Sequence, residues 1–397
     1  MNTEFSVAAH WGGDFDEAGL QKWAEQLRSD LRAPADLGLI FMSPRFFDRA
    51  KQILEIVRVH AQIPLLAGCS SQNLIFNGEE IEENAGLVLG IYSLPGAKLN
   101  AVHFVQEQVE EANGPGYWRL ETGVEPEQTN GWLVFIDPFH LDSETWLRSW
   151  NEAYAPLPIT GGLASGKFPE QRTQIYLNDE VFEAGGVAIS IGGDVKLATV
   201  ISQGCTPIGE TWTLTRVEDN LIHEIGNRPA YEVLAETFNQ LSAHEQKVAR
   251  GNLFIGLVVN EYLEDFHRGD FLIRNLLGAD PQTGSVAVGA FPRAGQTMQF
   301  QRRSASAAME DMSELLARAG KKLEGATIYG GCLCSCNGRG QNLFGRPNHD
   351  AKSVQEQFGP VGVAGFFCNG EIGPVGEKSF LHGFTASLTL FVRDGKS

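Results

Sequence analysis

The chain has 397 residues, 43% hydrophobic and 20% charged, with a formal charge of -18. Its length exceeds that of one ordinary core and predicts two domains, while the ordinary apolar fraction describes a globular protein. Lys and Arg are not clustered, so phosphate binding is disfavoured and neither nucleic acid nor an anionic membrane is expected as a partner.

Met1 to Ser6 lack the basic start and apolar core of a secretory signal, and no apolar run approaches the roughly 20 residues a membrane helix needs. Six cysteines in a chain this long, three of them within five positions, do not make a secreted disulfide framework. The expectation is a cytoplasmic protein with reduced thiols.

In chain order, a helical opening with Leu20, Trp23, Ala24 and Leu27 on one face precedes a buried strand, Leu37 to Met42. Ser43 and Pro44 make a helix start, and Phe46, Ala50, Ile53, Leu54 and Val57 line one face of the helix that follows. Leu65 to Gly68 is a short strand opening into Cys69, Ser70 and Ser71, and Gly86 to Tyr92 returns after a polar hairpin. The same order comes back about ninety residues later, a domain-scale repeat. Trp132 to Ile136 ends in Asp137, a helix carries Trp146, Leu147 and Trp150, and Pro158 to Gly162 opens into Ser165. The repeat spans 37–92 and 131–202. Strand-like runs at Lys196 to Ile201, Thr211 to Val217, Phe254 to Val259, Phe271 to Leu277 and Ser285 to Ala290 follow, with helices from Pro229 to about Leu241 and from Ala305 to about Ala319.

Residues 325–385 read as a third copy. A strand to Cys336 breaks into Asn337, Gly338, Arg339 and Gly340, and a helix carries Ala351, Val354 and Phe358. A second strand, to Cys368, then breaks into Asn369, Gly370 and Glu371 before His382 and Thr385. Strand-helix-strand crossovers between parallel strands share one hand, so all three copies present their break loops at the same end of their sheets, where ligands bind in such folds. The fold class expected is α+β: two pseudo-repeated halves with mixed β-sheets backed by helices, the domains being 1–225 and 226–397.

Cys336-Asn-Gly-Arg-Gly340, Asn348-His-Asp350, Gly365 to Pro374 and Leu381 to Thr385 resemble the C-terminal half of FIST-domain proteins. Gly68-Cys69-Ser70, Gly161-Gly162 and Gly204 to Gly209 resemble the N-terminal half. The resemblance implies a sensory module that binds small ligands, amino acids among them, and is found alone or joined to signalling domains. No such domain accompanies this sequence, so a separate signalling protein is expected to carry the output; oligomeric state is left open.

The residues themselves suggest the ligand's chemistry. Glu371 suits an ammonium or hydroxyl, and the planar fork of Arg339 suits a carboxylate, so the pair fits an amino acid or small carboxylate. The ligand-binding set is Cys336, Asn337, Gly338, Arg339, Gly340, Asn369, Gly370, Glu371, His382 and Thr385. Cys332, Cys334 and Cys336 face one side of their strand. His349, His382 or Cys368 would complete a tetrahedral metal set, but the paired spacing of zinc sites is missing, and no metal is expected. Neither G-x-G-x-x-G nor a Walker pattern follows a strand, so no nucleotide or other cofactor is expected. The module is read as non-catalytic, with no catalytic residues assigned. The alternative is a cysteine-dependent enzyme using Cys336 as nucleophile with His382 or His349 as base. His349 and Asp350 are expected to cap the helix they open.

Overall fold

A strand apolar on both faces must be covered twice, and the repeated strands are placed accordingly. The computed structural model describes residues 4–83, 85–167, 169–263 and 265–395. The first copy runs β1 (Ser6–Trp11), α1 (Glu17–Asp30), β2 (Leu37–Met42), α2 (Ala50–His60), β3 (Leu65–Ser70), β4 (Leu74–Phe76), β5 (Glu79–Ile81) and β6 (Leu87–Tyr92). The second runs β7 (Ala97–Phe104), α3 (Gln106–Glu111), α4 (Pro115–Thr122), β8 (Trp132–Ile136), α5 (Ser143–Tyr154), β9 (Ile159–Leu163), β10 (Ile175–Leu177), β11 (Glu180–Phe182) and β12 (Gly186–Gly193). The third begins with β13 (Lys196–Ser202) and is interrupted in sequence by an inserted segment.

That insert contains β14 (Cys205–Glu218), β15 (Leu221–Ile225), β16 (Arg228–Pro229), α6 (Ala230–Gln240), α7 (Ala243–Ala249), β17 (Leu253–Val258), β18 (Phe271–Asp280), β19 (Ser285–Val288) and β20 (Thr297–Arg303). The third copy resumes through α8 (Ala305–Lys322), β21 (Thr327–Cys336), α9 (Gly340–Phe344), α10 (His349–Phe358), β22 (Val363–Cys368), β23 (Glu371–Val375), β24 (Lys378–His382) and β25 (Ala386–Arg393).

Two compact units result, residues 1–201 with 315–397, and residues 202–314. The break expected between residues 225 and 226 lies inside the second unit, at the turn from β15 to β16. In the second unit the antiparallel order β14-β20-β17-β18-β19-β15 closes on itself, because β15 also pairs with β14. Ile208, Leu214, Ile255, Met298 and Phe300 pack with Ala230 and Val233 of α6 as its core.

The first unit holds three mixed six-stranded sheets: β1-β6-β2-β3-β10-β11, β7-β12-β8-β9-β23-β24 and β13-β25-β21-β22-β4-β5. Each has one parallel pair at its centre, β2 with β3, β8 with β9 and β21 with β22. The two outer strands in each case are a hairpin donated by another copy. The second copy's hairpin completes the first sheet, the third copy's the second sheet, and the first copy's the third. Alternate residues of all three sheets point into one shared core, including Leu39, Phe41, Phe135, Ile189, Cys334 and Phe366. Phe41, Phe135 and Phe366, one from each sheet, meet there with centroids 4.7 to 5.9 Å apart. The opposite faces carry helices: α1 and α2 cover the first sheet through Leu20, Leu27, Ile53 and Val57, and α5 covers the second through Trp146 and Trp150.

Gly68, Gly161 and Gly365 hold equivalent places on β3, β9 and β22. At each, a Cβ would collide with the carbonyl oxygen of the parallel neighbour: Ile40, Val134 or Leu333. The sequence register set Gly162 against Gly68; the strand pairing sets Gly161 there, opposite Val134 as Gly68 is opposite Ile40. Gly365→Ala is therefore expected to destabilise the protein by about 3 kcal/mol or more. Gly345→Ala, at a positive φ with open space around it, is expected to cost only about 1 kcal/mol. Urea denaturation of the two variants checks the difference.

Candidate functional site

The carboxyl ends of the central strands meet at one rim, as the common hand of the crossovers requires. There the break loops bond to one another. Ser70 Oγ donates to Ser165 O at 2.9 Å, and Ser71 and Ser165 both donate to Phe367 O at 2.7 and 2.8 Å. Asn369 Nδ2 reaches Ala164 O at 3.1 Å. Ser70, Ser71 and Ser165 are buried, so these loops form a closed plug. A cleft of about 430 Å³ opens instead at the amino ends of β2 and β3, beside Asp36, Leu65, Leu99 and Leu177. None of the expected site residues lines it.

Beside the plug, at the end of the third copy's strands, a polar cluster lies over the shared core. Cys332, Cys334 and Cys336 share a face, the first two inside the core and Cys336 partly exposed at the edge. Gly338 N–H points at the Cys336 sulfur at 3.5 Å. Asn337 Nδ2 bridges to Asn369 Oδ1 at 2.9 Å, while Asn337 Oδ1 is enclosed and accepts from no donor among the described residues.

Glu371, expected in a loop, is the first residue of β23 and fully buried. Its Oε2 accepts from Thr385 N–H at 2.9 Å, and its Oε1 from the Cys368 thiol at 3.1 Å. Burial pushes its carboxyl up to about 7, against the lowering effects of these donors, of the Arg339 charge and of a hydrogen bond from Cys336.

Arg339 is buried rather than open to a ligand. Its Nε and Nη2 grip Asp350 at 2.6 and 2.9 Å, the bidentate geometry that suits guanidinium to carboxylate. Burial opposes the Asp350 charge, yet Arg339 and the His349 imidazole outweigh it and hold the carboxyl below its usual range. His349 Nδ1 lies 3.0 Å from Asp350 Oδ1, and its ring stacks on Phe344. His382 is buried and donates through Nε2 to Gly373 O at 3.0 Å. Gly340 has a positive φ, and a Cβ there would meet the Glu82 carboxylate. Thr385 and Gly370 are buried, and Asn369 is exposed. The structure thus gathers the expected residues into one region but leaves only Cys336, Asn337, Gly338 and Asn369 facing solvent.

Glu80 belongs to the cluster and was not among the residues singled out by sequence. It lies on the first copy's hairpin, and its Oε1 accepts from the N–H groups of Asp350 and Ala351 at 2.9 and 3.0 Å. Glu80 is thus the cap of α10; His349 and Asp350 do not fill that role because Asp350 is committed to Arg339. Burial and then the Asp350 charge push Glu80 up to about 7. Its Oε2 is buried without a hydrogen-bond partner among the described residues. The signal in sequence was faint: Asn77-Gly78-Glu79-Glu80 reads as a solvated hairpin tip.

Against known families, residues 36–228 match the model of the FIST N domain and residues 230–374 that of the FIST C domain. The chain belongs to the FIST family. FIST domains are regarded as small-ligand-binding sensory domains. An uncharacterized protein of Mycobacterium bovis is 36% identical to this FIST protein over 374 residues, 94% of each chain. An uncharacterized protein of Mycobacterium tuberculosis is 35% identical over 358 residues, covering 90% of this chain and 91% of that one. A solved cyanuric acid hydrolase, described as an innovation by structural concatenation, covers 98% of both chains at 9% identity with a TM-score of 0.36. No helix among the described residues of the FIST protein is long and apolar enough to cross a membrane.

The raised carboxyl of Glu80 sets a pH dependence. Its folded pKa of about 7 exceeds the ordinary carboxyl value of 4.5, so the native state binds the extra proton. The associated stability is complete below the unfolded pKa and is lost as pH rises through about 7. Glu80→Gln keeps an oxygen for the α10 N–H groups and removes the charge facing Asp350. It is expected to melt higher than the parent at pH 8 and close to it at pH 5, as read by calorimetry.

Proposed function

We propose that this FIST protein is a cytoplasmic sensory module that binds a free amino acid at the Cys336–Asn369 rim of its third copy and signals through a separate protein. The observation that carries the reading is the enclosed Asn337 Oδ1, an acceptor without a donor among the described residues, on a side chain whose amide bonds to Asn369, two positions before the buried Glu371. A buried acceptor left unpaired costs about 1 to 3 kcal/mol, and a ligand ammonium relieves that cost. The exposed Asn369 side-chain amide gives one hydrogen to Ala164 O and offers its second to the ligand carboxylate. Arg339 supports this from within: its fork is occupied by Asp350, and its charge acts through space instead of by direct contact. A simple carboxylate without an ammonium group is therefore a poorer fit than an amino acid.

The enzyme alternative with a histidine base finds less support. His382 is engaged with Gly373 O, and His349 with Asp350.

Thermal-shift titration with free amino acids, and with amines and carboxylates as controls, tests the proposal. A binder at a hundred times its dissociation constant adds about 2.7 kcal/mol of stability, and Asn337→Ala is expected to remove most of that gain. Failure of every amino acid to shift the melting point, or an undiminished shift in Asn337→Ala, overturns it.

A further inference from the structure

Two thiols converge on one carboxylate at this rim. Cys336 and Cys368 are Cα partners in the parallel register of β21 and β22. Neighbouring strands lie about 4.8 Å apart, inside the range of about 4.4 to 6.8 Å that a disulfide spans between Cα atoms. Both residues continue the inward-facing series of their strands, after Cys334 and Phe366 respectively, so both side chains leave the sheet on the same face. Cys336 is partly exposed and Cys368 is buried. The Cys368 thiol donates to Glu371 Oε1 at 3.1 Å, and Cys336 bonds to the same carboxylate.

We propose that Cys336 and Cys368 form a hydroperoxide-reducing dithiol, with Glu371 moving the proton between thiol and leaving oxygen. The inference does not rest on the amino-acid reading of the rim. Glu371 takes the Cys336 proton, and the thiolate sulfur attacks the terminal oxygen of a hydroperoxide. An S–O bond forms, the O–O bond breaks, and the proton on Glu371 passes to the departing alkoxide or hydroxide. The products are Cys336 sulfenic acid and an alcohol or water. The Cys368 sulfur then attacks the Cys336 sulfur, its proton leaves with the sulfenic oxygen as water, and a disulfide remains. One hydroperoxide is reduced by two electrons for each dithiol oxidised, and an external thiol reductant is needed to repeat the cycle.

Three features of the site favour this chemistry. An ordinary carboxylate is about four pK units too weak a base to take a thiol proton, whereas burial lifts Glu371 to about 7 and narrows that gap. Gly338 N–H faces the Cys336 sulfur at 3.5 Å and favours its anion. The resolving thiol is shielded, as burial and then the Glu371 charge push the Cys368 pKa up, so peroxide meets Cys336 first. Cys69, Cys332 and Cys334 share the fully buried core below.

The experiment is to treat the reduced full-length protein with hydrogen peroxide and map its peptides without reduction. The expected product is a link between the tryptic peptides 323–339 and 353–378, with fragmentation placing it at Cys336 and Cys368. Titratable thiols should fall by two of the six. In Cys368→Ser, dimedone should trap the sulfenic acid on Cys336, and Glu371→Gln should slow oxidation about tenfold or more. A disulfide at any other pair, uniform oxidation of the six thiols, or an unchanged rate in a folded Glu371→Gln overturns the proposal. Should either variant fail to fold, the wild-type peptide map alone decides, since it must show that one link and no other. An amino-acid ligand that binds while peroxide leaves Cys336 untouched sinks only the dithiol, and the reverse outcome sinks only the amino-acid reading.

Discussion

Each copy in the first unit is unable to finish its own sheet. A short hairpin leaves the carboxyl end of the second parallel strand and pairs with a different copy, and the exchange runs round all three. The loops that feed these hairpins must therefore cross one another at a common place. The buried Ser70, Ser71 and Ser165 satisfy their hydroxyls on the backbone carbonyls of neighbouring loops there, and Asn369 joins them from the exposed edge. The close parallel approach at Gly68, Gly161 and Gly365 lets the strands reach that crossing together. The polar cluster is consequently composite. Cys336, Arg339, Asp350 and Glu371 come from one copy, Glu80 and Glu82 from another, and the strand paired with Glu371 from the remaining one.

The electrostatics follow from that crowding. Arg339 and Asp350 hold a fixed pair of charges, shielded from solvent and satisfied by Ser335 and His349 as well as by each other. Glu80 and Glu371 are the acids left over. With one guanidinium already matched, burial decides their state and brings both near neutrality in pKa. The site thus combines one permanent ion pair with two carboxyls that change charge within the physiological range.

The parts of this arrangement legible in sequence were those governed by local rules. Leu37–Met42 and Trp132–Ile136 were read at their observed limits because strands covered on both faces are continuous apolar runs ending in turn residues. The repeat was visible for the same reason. The first hairpin was legible only as a polar excursion, because Leu74–Phe76 is short and pairs far from its sequence neighbours, and Glu371–Val375, interrupted by Gly373 and Pro374, carries no strand pattern. β1 escaped notice because Ser6–Trp11 precedes any helix or turn signal that would frame it as a strand. Within the site, Cys336, Asn337 and Glu371 stood out by their glycine neighbours. The Arg339–Asp350 pair did not, because eleven positions along an irregular stretch carry no periodic mark of contact. Glu80 was hidden altogether: only the exchange of hairpins carries it to the start of α10, 270 positions away.

The ring also governs the order in which the molecule is built. β4 and β5 leave the ribosome early, yet their partner strand β22 is synthesised almost three hundred residues later, after the whole inserted barrel. A nascent chain must carry that unpaired edge throughout translation, and such edges invite association with other chains. Loss of the last few dozen residues would remove both the strand on which β4 pairs and the hairpin that completes the second sheet, so the final copy is the keystone that lets the earlier two lock.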